Sequence, residues 1–221
     1  MSVLIYRDAQ TAGMCAATLF ASHLLENPKC VVGFDYHENL VQTFNMLASM
    51  TENGLLNWSE TRIYQLFEFL KDETGEQRIA NLLGKALLSG TDVSEAQYAV
   101  PFAAEEDAEA VAAAFEEHIL NDGGLDAALI AVRQDGSLLM NRSASESPYT
   151  HVVSTDGNGF ITVGVATLMQ AKHPIVVAIG RECALAVKDM LCSGITESPL
   201  SALKLHPKAT FILDEEAAEM I

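Results

Sequence analysis

The stretch VLIYRDAQTAGMCAATLFASHLLENPKCVVGF, residues 3–34, reads as strand, helix, strand. Val3 to Tyr6 is a short apolar run. Asp8 is placed to cap a helix that carries Ala12, Cys15, Ala16, Leu19, Phe20 and Leu24 at helical spacing. Asn27-Pro28 ends that helix, because the residue before a proline is pushed out of helical geometry. Cys30 to Phe34 is apolar at successive positions rather than alternate ones, which fits a strand buried on both faces of a helix-covered parallel sheet.

The same alternation runs outward from this unit. Leu40, Phe44 and Leu47 form the apolar face of a second helix ending near Asn53-Gly54, and Arg62 to Leu70 reads as one strand. Ile79, Leu82, Leu83, Ala86 and Leu87 make a helical stripe closed by Ser89-Gly90. Tyr98 to Phe102, interrupted by a proline, fits an edge strand. Glu105 to Asn121 starts acidic, as suits a helix N-terminus, and Gly123-Gly124 turns the chain into a strand from Asp126 to Val132. Arg142 to Gly159, rich in Ser, Asn, Asp and Gly, reads as an exposed loop. Strands at Phe160–Gly164 and Ile175–Ile179, a helix from Arg181 to Cys192 and a last strand at Thr210–Leu213 complete the pattern. The expectation is an α/β fold, a Rossmann-like three-layer sandwich with a mostly parallel sheet, as a single domain over residues 1–221.

Composition narrows the function. Thirty acidic against 13 basic residues give a formal charge of −17, which repels phosphate backbones and anionic membrane surfaces, so neither nucleic acid nor membrane is an expected partner. There is no leader-like start and no apolar run of the roughly 18 residues a membrane span needs, so a cytoplasmic location is expected. Cys15, Cys30, Cys183 and Cys192 sit in hydrophobic contexts without CxxC spacing and read as buried reduced thiols. The six histidines form no HxH, HxxxH or HExxH pattern, so no metal site is expected.

Several separated segments carry a family likeness. Phe160-Ile-Thr-Val-Gly-Val-Ala-Thr-Leu-Met-Gln-Ala-Lys172, Ser201-Ala-Leu-Lys-Leu-His-Pro-Lys-Ala209 and Leu213-Asp-Glu215 resemble the pieces TVGxxTLLxA, LQLHPKA and a strand ending in DE of glucosamine-6-phosphate deaminases. Gly123-Gly124-Leu125-Asp126 resembles that family's GGIDL strand entry, and Ala131 to Gly136 occupies the place of its GxGxDGH turn. The chain is thus similar to the glucosamine-6-phosphate deaminase and 6-phosphogluconolactonase family. The resemblance implies the same α/β sandwich, a sugar or sugar-phosphate ligand, no cofactor and self-association into an oligomer.

The functional positions depart from the family pattern. Where the family has a glycine-rich PTGGTP phosphate loop, this chain reads Asp35-Tyr36-His37-Glu38-Asn39, whose side chains fill the cradle and whose two carboxylates would repel a phosphate. Glu38 is the residue expected to satisfy the following helix N-terminus. The phosphate-pairing lysine becomes Cys183, with Arg181 two residues earlier as a substitute. Glu68, within Leu66-Phe67-Glu68-Phe69, is the one acid near the place of the family's proton-transfer Asp. It is either a displaced base or a solvent-facing acid between two packed phenylalanines. Asp135 and Gly136 persist, but the turn's histidine becomes Ser137 and the acid that tunes it becomes Arg142.

These losses favour a catalytically degenerate family member that retains a ligand cleft. An active isomerase, deaminase or lactonase with a rearranged site is the alternative. In it Asp135, Glu68 and Ser137 would carry the chemistry, and His37, Asn39, Arg142 or Arg181 would hold the ligand. A structural or regulatory oligomer subunit is the third reading.

Overall fold

Asp8 caps the first helix as the sequence requires, its carboxylate accepting the Thr11 N–H at 2.7 Å. The computed structural model describes residues 1–70, 78–103, 107–145, 147–155 and 157–221. Its strands are β1 (Ser2–Tyr6), β2 (Val31–Phe34), β3 (Arg62–Gln65), β4 (Phe67–Phe69), β5 (Tyr98–Ala99), β6 (Ala127–Ala131), β7 (His151–Thr155), β8 (Asn158–Thr162), β9 (His173–Ala178) and β10 (Thr210–Asp214). Its helices are α1 (Ala9–Glu26), α2 (Val41–Glu52), α3 (Ile79–Ala86), α4 (Ala108–Asn121), α5 (Val165–Gln170), α6 (Ala184–Cys192) and α7 (Pro199–Leu203). The expected start of α4 at Glu105 lies outside the described residues. No described helix is long and apolar enough to cross a membrane.

Seven strands form one parallel sheet in the order β1-β10-β9-β6-β2-β3-β5. Its central strands show why their apolar runs are continuous. Ala127, Leu129 and Ala131 of β6 join the core beneath α1 and α2, while Ala128 and Ile130 join the opposite core with Phe115 of α4 and Val187 of α6. Residues of opposite parity face opposite layers, so a strand covered on both sides has no polar face. The fold is the expected α/β sandwich, and β5 with its following proline lies at a sheet edge.

Two expectations are corrected. Arg62–Leu70 is two strands, not one: β3 pairs with β2 in the main sheet, and β4 leaves to pair antiparallel with β8. The stretch 142–159 is not wholly loop. Its second half supplies β7, which pairs with β8 to complete a three-stranded antiparallel sheet β4-β8-β7. β7, HVVST, is half-buried along most of its length and shows no clean alternation, so its Ser, Thr and His make it resemble a loop in composition. The buried carboxylate of Glu116 on α4 accepts the Thr150 N–H at 3.0 Å and the Thr167 hydroxyl at 2.7 Å, which fastens the chain on both sides of the hairpin. Gly164 enters α5 where an added Cβ would lie 2.3 Å from the Tyr149 carbonyl oxygen, so only glycine fits that crossing.

The thiols are more varied than expected. Cys30 and Cys183 are buried, Cys15 is half-buried and Cys192, at the end of α6, is exposed.

Candidate functional site

Beyond β2 the chain passes to β3 and β5 on one side of the sheet, and beyond β6 to β9 and β10 on the other. Loops at the carboxyl ends of β2 and β6 therefore diverge and leave a crevice, the usual ligand position in open parallel sheets. Here it is a cleft of about 760 Å³. The β2 loop contributes His37, Glu38 and Asn39, the β6 loop contributes residues from Arg133 to Arg142, and the β9 loop contributes Glu182 and Cys183.

The three loops are tied at one carbonyl. Val132 O accepts from Asn39 Nδ2 at 3.1 Å and from the Cys183 thiol at 3.5 Å. Burial pushes the Cys183 thiol up to about 11, so it stands there as a neutral donor. On the far side Asp214, at the end of β10, accepts the Gly180 N–H at 3.0 Å and the Ala217 N–H at 2.8 Å. Gly180 itself has φ +86°, a conformation other residues resist, and this turn presents Glu182 and Cys183 to the cleft. The short helical turn before α2 is capped by His37, whose Nδ1 accepts the Asn39 N–H at 3.3 Å. Glu38 does not supply this cap, contrary to expectation. Its side chain lies at the exposed rim.

Asp35, the first acid in the glycine-loop position, does not enter the cleft. It is wholly buried, accepts the Ala131 N–H at 2.9 Å, and forms a two-pronged ion pair with Arg133 at 3.1 and 3.2 Å. The expected repulsion from two carboxylates is therefore corrected: Asp35 is neutralised by a guanidinium, and only Glu38 of the two faces the cleft. The Arg133 side chain is 14% exposed, lines the cleft and lies over the Phe67 ring at 5.5 Å. Sequence reasoning missed Arg133. The signal was present, since a bulky base stands at a glycine of the GxGxDGH pattern while an acid stands in the glycine-rich loop, a compensating pair across two segments.

Asp135 and Ser137 do meet in the cleft, on a tight turn closed by Gly136 at φ +77°. The Asp135 carboxylate accepts the Ser137 N–H at 3.0 Å. Partial burial opposes its ionisation, but hydrogen bonds from the Ser137 hydroxyl and amide, with the Arg142 charge, outweigh that and hold it below the ordinary carboxylate value. His37 is held below the usual histidine value, first by burial and then by the Arg133 charge.

Two expected site residues lie elsewhere. Glu68 neither lines the cleft nor faces solvent. It is wholly buried and accepts from Gln65 Nε2 and from the N–H groups of Phe69, Ile79 and Ala80 at 2.8–3.1 Å, capping the start of α3. Arg181 is 74% exposed and pairs with Glu219 at 3.0 Å, away from the cleft. His37, Asn39, Asp135, Ser137 and Arg142 are brought together. Among the described residues no group of His, Cys, Asp and Glu is placed to hold a metal ion.

Comparison with known proteins places the fold and the family. Two curated relatives named glucosamine-6-phosphate deaminase align along all of this chain. That of Corynebacterium aurimucosum is 28% identical over 246 residues, 94% of its length, and that of Bacillus pumilus is 25% identical over 240 residues, all of its length. Among solved structures, a monomeric glucosamine-6-phosphate deaminase superposes with a TM-score of 0.94 at 21% identity over the whole of both chains. The 6-phosphogluconolactonase of Trypanosoma brucei gives 0.79 at 17% identity, covering 99% of this chain and 97% of its own. These structural likenesses establish the fold. The family model described as glucosamine-6-phosphate isomerases/6-phosphogluconolactonase matches residues 38–212, and the chain belongs to that family.

Proposed function

We propose that this protein binds a sugar or sugar-phosphate ligand in the cleft at the carboxyl ends of β2, β6 and β9 without carrying out deamination or lactone hydrolysis. The observation that carries the reading is the state of the Asp135–Ser137 pair. Asp135 is held ionised by its hydrogen bonds and by Arg142, and a serine hydroxyl has no ionisation near neutral pH. His37, the one histidine lining the cleft among the described residues, is held below its usual value and spends Nδ1 on the Asn39 N–H. A general acid–base cycle needs a group that takes and returns a proton near the working pH, and neither Asp135, Ser137 nor His37, as held here, is suited to that role. Leu139, Met140 and Phe160 add an apolar wall.

The relatives' names define the test. Purified protein is incubated with glucosamine 6-phosphate and with 6-phosphogluconolactone, and released ammonia and lactone loss are followed. Turnover is expected to stay at background for both. The same compounds, with unphosphorylated hexoses, are expected to include at least one that raises the melting temperature saturably. Robust turnover of either substrate would establish a rearranged catalytic site instead.

A further inference from the structure

Arg133 offers more than neutralisation of Asp35. The two oxygens of Asp35 engage one N–H on each terminal nitrogen, Nη1 to Oδ2 at 3.2 Å and Nη2 to Oδ1 at 3.1 Å. A guanidinium carries five N–H donors in a planar fork. End-on pairing leaves the side edge, formed by Nε–H and the adjacent Nη–H, and no hydrogen bond reaches that edge among the described residues. The group is fixed from behind by an acid that is itself wholly buried and anchored to Ala131 N–H, and from one face by Phe67. Its side chain lines the cleft. A rigid fork with an open edge is suited to an anion carrying two coplanar oxygens.

We propose that this open edge of Arg133 receives the carboxylate of a sugar acid bound in the cleft. The choice of a carboxylate over a phosphate rests on charge. Glu38, Asp135 and Glu182 line the cleft with Asp35 directly behind it, against the two guanidinium groups of Arg133 and Arg142. A surplus of negative charge penalises an incoming phosphate monoester of about −1.5 to −2 more than a carboxylate of about −1. The remaining wall suits a polyhydroxylated body. Asn39 is nine-tenths buried, and its NH₂ is committed to Val132 O and Cys183 Sγ. Because a carbonyl can only accept, the amide orientation is fixed and leaves Oδ1 as an acceptor with no partner among the described residues, on a residue that lines the cleft. Phe160 supplies an apolar surface for the C–H face of a sugar ring.

The inference rests on the cleft being a sugar site, and the experiment separates the two ideas. Binding of gluconate, glucuronate, glucose 6-phosphate and glucose is measured by calorimetry with the full chain, with Arg133→Lys, and with Asp35→Asn/Arg133→Gln. The double variant guards against misfolding from an unpaired buried Asp35. The sugar acids are expected to bind more tightly than glucose 6-phosphate or glucose. The lysine variant, which keeps the charge and loses the fork, is expected to weaken them by about tenfold or more. Preference for glucose 6-phosphate, or sugar-acid affinity unchanged in both folded variants, overturns the Arg133 proposal and leaves the sugar site standing. Failure of all four compounds to bind the wild-type chain overturns both.

Discussion

Asp35 and Glu68 are both wholly buried carboxylates, each with an arginine near it, yet the balance of their partners differs: Asp35 is held at 3.1–3.2 Å by Arg133, while Arg78 stands 3.9 Å from Glu68. Asp35, at the end of β2, is met by the Arg133 guanidinium, whose side chain also lines the cleft, and by the Ala131 N–H. Glu68, within β4, is met mainly by fixed backbone N–H groups of Phe69, Ile79 and Ala80, with Gln65 beside it. A carboxylate held mainly by backbone N–H groups is committed to architecture, because those donors are fixed by the chain that carries them. One satisfied by a guanidinium leaves donors over. The region around Asp35 can therefore serve a ligand, and the region around Glu68 holds α3 against the small sheet.

This contrast sets the order of expected effects. Glu68→Ala leaves the buried Ile79 N–H and the part-buried Phe69 and Ala80 N–H groups without their acceptor, and is expected to cost about 3–4 kcal/mol, read as a fall in denaturation midpoint without any change in ligand preference. A loss below about 1 kcal/mol would mean that Glu68 does not organise α3. Arg133→Met leaves Asp35 as an unpaired charge, but one that water can approach from the cleft, so about 3 kcal/mol is expected. Adding Asp35→Asn to that variant is expected to recover most of the loss, since an amide still accepts from Ala131 and carries no charge. A double variant no more stable than Arg133→Met would break the assignment of Asp35 and Arg133 as a coupled pair.

Smaller effects sharpen the picture within the cleft. Ser137→Ala removes the hydroxyl that supports Asp135 but keeps the backbone N–H, and is expected to cost about 1 kcal/mol in chemical denaturation. The smallest effect expected is with pH. His37 in the cleft, and His23, His173 and His206 elsewhere, are all held below the usual histidine value, burial being the first cause in each. The folded protein thus binds fewer protons than the unfolded chain, so stability is full above about pH 6.5 and falls as the pH drops through the folded-state values. Melts at pH 7.5 and 5.5 should show the lower melting temperature at the acidic end. An unchanged or higher value at pH 5.5 would contradict that sign.

Much of this molecule was legible in the sequence where the physics is local. The Asp8 cap, the stop at Asn27-Pro28 and the doubly covered strands β2, β6, β9 and β10 follow from spacing, side-chain chemistry and the solvation of each segment, and each stands where expected. The departures at Asp35, Cys183 and Ser137 could also be read directly, because each alters the type of group at a motif position. The break at Leu66 could not be read. Leu66 is fully buried, and nothing in its neighbours' polarity distinguishes one strand of nine residues from two that part company.

Only the tertiary structure decided which acids face the cleft. As sequence, Asp35 reads as an acid filling the phosphate cradle and Glu68 as either a displaced base or a solvent-facing acid, and Arg133 looks like any surface base next to a turn. Asp35 and Arg133 are 98 residues apart along the chain, and Glu68 meets α3 across the intervening residues. The sequence determined the layers because periodic burial is a property of each segment alone. The site was decided by the fold because a charge takes its meaning from whatever the rest of the chain brings within about 3 Å of it.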